Sequence, residues 1–381
     1  MNSGKQNAIR LITALIFFLS GCSSSILSSR EEPLRPPVKA FYATNRNDTG
    51  IANVSHKYGS ERDIMSYGIA QVTIPHDHHI GKFILSSFDR EQRQQLEYLD
   101  LSVLSRDELL SRLSQAVAAS EEKTLLIYVH GFNVTFNEAA RGIGQIASDL
   151  DFKGCALFFS WPSQGNISGY VDDEATILWA EKDLVKLLDD VALHSGSKSI
   201  YLMGHSMGTR VLARAFLELI QKKPDQKVHF KSLILTAPDI DAETFKRDIG
   251  PALAESGVRV ILYVSSKDKA LKLSKRLHKF KRAGDSDEGA LIIPGIETVD
   301  ASNVDTGVLG HSYHCDSRTV LSDIYYILNK DLKADQRFSL QPLNTSVGRY
   351  WSYSRRKISC EAKKKPTRRL AFFQRVWRRR N

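Results

Sequence analysis

Gly204-His205-Ser206-Met207-Gly208 stands between an apolar run at 199–203 and an amphipathic run at 209–222. That order reads as strand, tight turn, helix, with a serine at the apex. A sharp strand-to-helix turn forces unfavourable backbone angles on the apex residue and pushes its hydroxyl out above the sheet. The glycines on either side let strand and helix approach closely. The chemistry such a serine can do is nucleophilic attack on a carbonyl. Context supports the reading: Val211, Leu212, Ala215, Phe216, Leu219 and Ile220 recur at helical spacing, and Pro224 stops the helix.

A serine hydroxyl is a weak nucleophile at neutral pH, so it needs a base, an orienting carboxylate and donors for the oxyanion. When the serine sits in this kind of turn, the chain order is serine, acid, histidine. Two acids follow strand-like runs beyond Ser206: Asp239 after 233–235 and Asp268 after 258–264. Asp268 ends the second strand after the serine, the usual place for the acid, and is preferred; Asp239 stays open. Either also suits a helix N-cap. The base belongs in a late loop, and Gly310-His311-Ser312-Tyr313-His314 precedes the final helix. His311, farther from that helix, is preferred to His314. For the oxyanion, one N–H comes from Met207. The second comes from Phe132 in His130-Gly131-Phe132-Asn133, where glycine lets the backbone bend toward a substrate.

Elements able to position these groups recur along the chain. Apolar runs of strand length at 125–129, 156–159, 200–203, 233–235 and 258–264 alternate with helix-patterned segments at 136–150, 173–194, 208–222, 241–254 and 268–279. Unbroken apolar strands imply burial on both faces, hence a mostly parallel central sheet with helices on both sides. Short strand candidates at 38–43, 67–74 and 83–87 predict an antiparallel N-terminal edge, and 91–119 reads as helical or irregular. A last strand is expected near 291–293 or 298–299, and a helix over 317–329. About twenty residues separate the strands near 235 and 258, too few for a large cap domain.

The 381 residues are 42% hydrophobic and 25% charged, ordinary for a globular chain. The net charge of +10 is concentrated in a tail: residues 355–381 hold twelve Lys or Arg against the single acid Glu361, which leaves the rest near neutral. Lys363-Lys364-Lys365 and Arg378-Arg379-Arg380 bracket Leu370, Phe373, Val376 and Trp377 on one helical face, a pattern suited to an anionic membrane surface or to a solvated tail. At the other end, Lys5 and Arg10 precede an apolar stretch at 11–19, too short to span a bilayer and shaped like an export signal. Leu19-Ser20-Gly21-Cys22 resembles a bacterial lipobox, whose cysteine carries the lipid. The expected organisation is a lipoprotein signal peptide over 1–21, a flexible tether over 22–37, an α/β domain over 38–335 and a basic tail over 336–381. This predicts a membrane-anchored protein of the cell envelope, facing the periplasm, with no nucleic-acid partner.

Cys22, Cys155, Cys315 and Cys360 form no C-x-x-C pair and no disulfide framework. Arg141-Gly142-Ile143-Gly144 lacks the third glycine of a dinucleotide fingerprint, and His76-Asp77-His78-His79 reads as a polar turn rather than a metal site. No metal and no cofactor is expected.

With these blocks in hand the chain resembles the DUF900-type bacterial α/β-hydrolases, an esterase/lipase-like family. The resemblance spans about 38–330 and rests on Phe41-Tyr42-Ala43-Thr44-Asn45-Arg46, Val129-His130-Gly131-Phe132-Asn133, Phe159-Ser160-Trp161-Pro162, the Ser206 turn, Ala237-Pro238-Asp239-Ile240-Asp241, Tyr263-Val264-Ser265-Ser266-Lys267-Asp268 and Gly310-His311-Ser312-Tyr313. It implies the α/β-hydrolase fold and hydrolysis of an ester, thioester or amide. An acyltransferase on the same residues, or a non-catalytic membrane-surface protein that keeps the fold, are the competing expectations.

Overall fold

Among the described residues, eleven strands form one sheet, in the order 340–344, 349–353, 296–300, 259–264, 230–236, 199–205, 124–129, 155–160, 38–48, 58–72 and 99–104. The computed structural model describes residues 36–74, 78, 80–81, 99–304 and 311–354. The expected signal peptide, Cys22, nearly all of the tether, the strand candidate at 83–87 and the basic stretch from 355 lie outside the described residues. The chain enters through β1 (Val38–Asp48), β2 (Tyr58–Val72) and β3 (Leu99–Leu104). Alternation follows: α1 (Arg106–Ala119), β4 (Thr124–Val129), α2 (Phe136–Asp149), β5 (Cys155–Ser160), α3 (Tyr170–Trp179), α4 (Glu181–His194), β6 (Ser199–His205), α5 (Gly208–Lys222) and β7 (Phe230–Thr236). Then come α6 (Ala242–Thr244), a π turn (Phe245–Ile249), α7 (Gly250–Glu255), β8 (Arg259–Val264), α8 (Lys269–His278), β9 (Ile296–Asp300), α9 (Tyr313–Asp316), α10 (Arg318–Lys330), β10 (Leu340–Asn344) and β11 (Arg349–Tyr353).

The strands from β5 through β4, β6, β7 and β8 to β9 pair parallel. Successive residues of a strand face opposite sides, and the core divides accordingly. Leu125, Ile127, Leu202, Leu235 and Leu262 pack on one face with α1, α4 and α5. Leu126, Tyr128, Met203, Ile234 and Ile261 pack on the other with α2 and α10. Both faces being covered is why these strands carry unbroken apolar runs. Helix starts are locally specified: Ser105 with Glu108, and Thr135 with Glu138, close capping boxes on α1 and α2.

Four local expectations change. β1 pairs parallel to β5 as well as antiparallel to β2, so the switch from parallel to antiparallel pairing falls at β1 itself. Residues 99–104, read as helical or irregular, form β3, because β2 offers an open ladder to a short alternating segment. The helix expected over 173–194 is two, broken at Ala180. The sheet also continues past the boundary expected at 335. The hairpin β10–β11 docks parallel to β9 through β11, anchored by Arg337, whose buried guanidinium pairs with Asp323 at 2.8 Å and Glu297 at 2.7 Å. An isolated guanidinium in a charged sequence carries no sign that it will be buried.

Candidate active site

Parallel strands bring the loops that follow them to one edge, and the candidate groups come from the carboxyl ends of β4, β6 and β8 and from the loop before α9. Ser206 follows β6 with φ 51°, a left-handed conformation costly for any side-chain-bearing residue. The turn is held from below: Ser206 N–H donates to the Thr236 carbonyl at 2.9 Å, while its own carbonyl accepts the Thr209 hydroxyl at 2.6 Å and the Thr209 N–H at 3.1 Å. Gly208 is needed sterically, because a Cβ there would come 2.2 Å from the His130 carbonyl oxygen.

That close approach brings the His130–Asn133 loop against the serine. A Cβ on Gly131 would lie 2.9 Å from Ser206 Cβ. Phe132 follows directly, and Asn133 turns the chain with φ 57°. Met207 occupies the N-cap of α5 with its side chain buried, so its N–H stands at a helix N-terminus, where partial positive charge favours an anion.

Asp268 is fully buried and caps α8. Its Oδ1 accepts the Leu271 N–H at 2.9 Å, and its Oδ2 lies 2.7 Å from His311 Nδ1. A carboxylate accepts, so Nδ1 carries the proton and Nε2 of a neutral His311 is left as a base. Asp239 is engaged elsewhere. It bonds Arg282 Nε at 2.7 Å, the Ser274 hydroxyl at 2.7 Å and the Tyr170 hydroxyl at 2.5 Å, with Arg210 at 3.1 Å. Burial alone would raise its carboxyl; Arg210 and Arg282 overcome that and hold it down at about 2. Asp239 therefore ties α3, α5 and α8 together as a charged structural node.

His314 is buried. Its ring lies 4.2 Å, centroid to centroid, from that of His205, and its Nε2 is 3.4 Å from the Tyr128 hydroxyl. His205, immediately before Ser206, donates Nε2–H to the main-chain carbonyl of His311 at 3.2 Å, and the two rings are 4.7 Å apart. The backbone of His311 is thus held by the residue next to Ser206. Behind the oxyanion loop, buried Arg46 donates Nε–H to the Ser160 hydroxyl at 2.9 Å. Ser160 lies 3.3 Å from His130 Nε2, and His130 Nδ1 donates to the Gly131 carbonyl at 2.8 Å. Trp161 is fully buried, stacks on His130 at 5.1 Å and donates to its carbonyl at 2.9 Å, so it supports the loop from below. Arg46, His130 and His205 were visible only as members of short blocks; nothing in their spacing announced these contacts.

Burial depresses the basicity of three of these histidines: His130 and His314 each fall to about 3, and His205 lies well below its ordinary value. An unfolded histidine protonates near pH 6.5, whereas these stay neutral in the folded protein, so the unfolded state binds more protons and stability falls on acidification. Each of the three steepens the fall in stability by up to one proton as the pH drops from about 6 toward its folded value. Urea unfolding measured from pH 7 to pH 4.5 should show this, and His314→Gln should flatten the slope by about one proton.

Of the His76–His79 turn, only His78 is among the described residues. Its Nε2 pairs with Asp149 at 2.6 Å. Among the described residues, no group of three or more His, Cys, Asp or Glu is arranged to hold a metal ion.

The family model for alpha/beta hydrolases of unknown function (DUF900) matches residues 105–329. Comparison with curated proteins returned no match. Solved structures that resemble the chain include the mouse alpha/beta hydrolase domain-containing protein 10, at 16% identity over 54% of this chain and 88% of that one, with a TM-score of 0.31. Another is one of two fungal esterases from Rhizomucor miehei, at 10% identity over 79% and 84% of the two chains, with a TM-score of 0.35. The family model covers more than half of the sequence, including both the Ser206 turn and the His311 loop, and the chain belongs to the DUF900 family of alpha/beta hydrolases.

Proposed function

We propose that the protein is a serine hydrolase of the cell envelope that cleaves an ester, thioester or amide through an acyl-enzyme, with a carboxylic ester the favoured substrate. Ser206 Oγ bonds to the substrate carbonyl carbon as its proton passes to His311 Nε2. Asp268 holds His311 in the required tautomer and stabilises the imidazolium. The N–H groups of Phe132 and Met207 receive the oxyanion. Collapse of the tetrahedral adduct breaks the bond to the leaving group, which takes the proton from His311. Water then repeats the sequence and frees Ser206. The observation that carries this reading is the 2.7 Å pairing of buried Asp268 with His311 beside a serine in a left-handed turn.

The envelope location and the anchor at Cys22 rest on the export-type N-terminus and the lipobox-like Leu19-Ser20-Gly21-Cys22. Among the described residues no helix is long and apolar enough to cross a membrane, and the lipid is the attachment in this proposal. A fluorophosphonate probe should label the protein with one adduct, which mass spectrometry maps to Ser206. Folded protein that resists labelling would favour the non-catalytic alternative.

A further inference from the structure

Helix α8 begins at the acid of the proposed triad and carries an apolar and basic face that is largely exposed in the described structure. Both of its ends are tied to the carboxyl edge of the sheet. Asp268 caps its start just beyond β8. After its end, Ala283 N–H and Gly284 N–H donate to the carbonyls of Ile240 and Pro238, beyond β7, and Gly284 accepts from Ser265 N–H. A ten-residue helix spans about 15 Å, and with its start at Asp268, Ser274 on Asp239 and His278 on Glu174, α8 stays at the carboxyl edge of the sheet, the edge that carries the site.

Its inner face is accounted for. Leu271 and Ser274 are buried, and Ser274 and His278 bond to Asp239 and to Glu174 of α3. The outer face is not. Leu273 is 51% exposed, Leu277 59% and Phe280 63%. Leu273, Arg276 and Leu277 share one side by helical spacing, and Phe280 follows directly after Lys279, whose φ of 66° ends the helix. Of the basic groups along the helix, Lys272 pairs with Asp287 at 3.2 Å and Lys275 with Glu288 at 2.5 Å, whereas Lys267, Arg276 and Lys279 form no ion pair among the described residues. On α3, joined to α8 through Tyr170–Ser274 and Glu174–His278, Val171 is 74% exposed and Ile167 just before it 72%.

Exposed apolar side chains at helical spacing, with three cations that no carboxylate neutralises among the described residues, match the chemistry of an interfacial helix on anionic lipid. We infer that α8 docks the protein on a bilayer rich in anionic phospholipid headgroups and presents the Ser206 site to acyl esters within that surface. Leu273, Leu277 and Phe280 enter the headgroup boundary while Lys267, Arg276 and Lys279 meet the phosphates. The docking is independent of the basic tail and of the anchor; its consequence for substrate rests on the serine hydrolase reading.

The test uses the full chain mixed with vesicles of phosphatidylcholine alone or with phosphatidylglycerol added. Exposed lysines are acetylated by a water-soluble reagent and read by mass spectrometry. Lys267 and Lys279 should react at least fivefold more slowly on the anionic vesicles, and that protection should fade with added salt. Lys227, ahead of β7 at the opposite edge of the sheet, should react at an unchanged rate. The pair Arg276→Glu with Leu277→Asp, both on the solvent side, should abolish protection of Lys279 while leaving fluorophosphonate labelling intact. No sedimentation with anionic vesicles, or sedimentation with Lys279 as reactive as in solution, overturns the docking. Protected Lys279 in wild-type protein that the probe never labels removes the hydrolase reading and leaves the docking standing.

Discussion

Ser206→Ala should lower turnover of an activated ester by about a millionfold, checked as kcat on a soluble chromogenic substrate. The substitution removes the atom proposed to bond to the substrate carbonyl carbon. What remains is water attacking a carbonyl held by the Phe132 and Met207 N–H groups, and such residual catalysis in triad hydrolases is about a thousand- to ten-thousandfold over water. The loss is chemical and not conformational. Alanine keeps the Cβ, so the left-handed φ of 51° costs the same, and the N–H bond to Thr236 and the carbonyl bonds to Thr209 are main-chain features that persist. The melting temperature should therefore stay within a few degrees of wild type. Retention of wild-type turnover would end the assignment of Ser206 as nucleophile.

The second large effect separates two histidines three residues apart. His311→Ala should cost about as much as loss of the serine, because nucleophile and base act as a unit. His314→Ala should keep kcat within about tenfold while lowering stability by roughly 1–3 kcal/mol. The structural basis is the difference in partners. His311 meets Asp268 at 2.7 Å and remains partly exposed toward the mouth. His314 is buried against His205 and Tyr128, and burial drops its basicity to about 3, too low to take a proton from a serine near neutral pH. Measuring kcat and urea unfolding on both variants gives four numbers. A kinetic collapse in His314→Ala with unchanged stability would reverse the two roles.

Much of this site was legible in the chain because its signals are local. The Gly-x-Ser-x-Gly turn, the glycine after His130 and the apolar runs ending near Asp239 and Asp268 each encode a backbone need that only certain residues meet. The choice between Asp239 and Asp268 rested on strand counting, and what separates them physically is partners: Arg210 and Arg282 surround one, His311 faces the other. The chain of Arg46, Ser160 and His130 beneath Gly131 joins residues from β1, from the end of β5 and from the loop after β4, and no periodicity links them. The split of 173–194 at Ala180 was equally silent, since alanine is a good helix former and only tertiary packing breaks the run there.

By itself the sequence determined the alternation of strands and helices and the strained serine turn with Asp268 and His311 after it in the chain, because those depend on side-chain periodicity and on backbone angles that glycine permits. Tertiary structure alone decided which carboxylate meets the imidazole, that β1 joins the parallel sheet, that the 340–353 hairpin closes the far edge, and that α8 sits at the carboxyl edge with Leu273, Leu277 and Phe280 exposed. Each of those depends on which surfaces remain unpaired once the neighbouring strands and helices have packed, and that is a property of the assembled sheet.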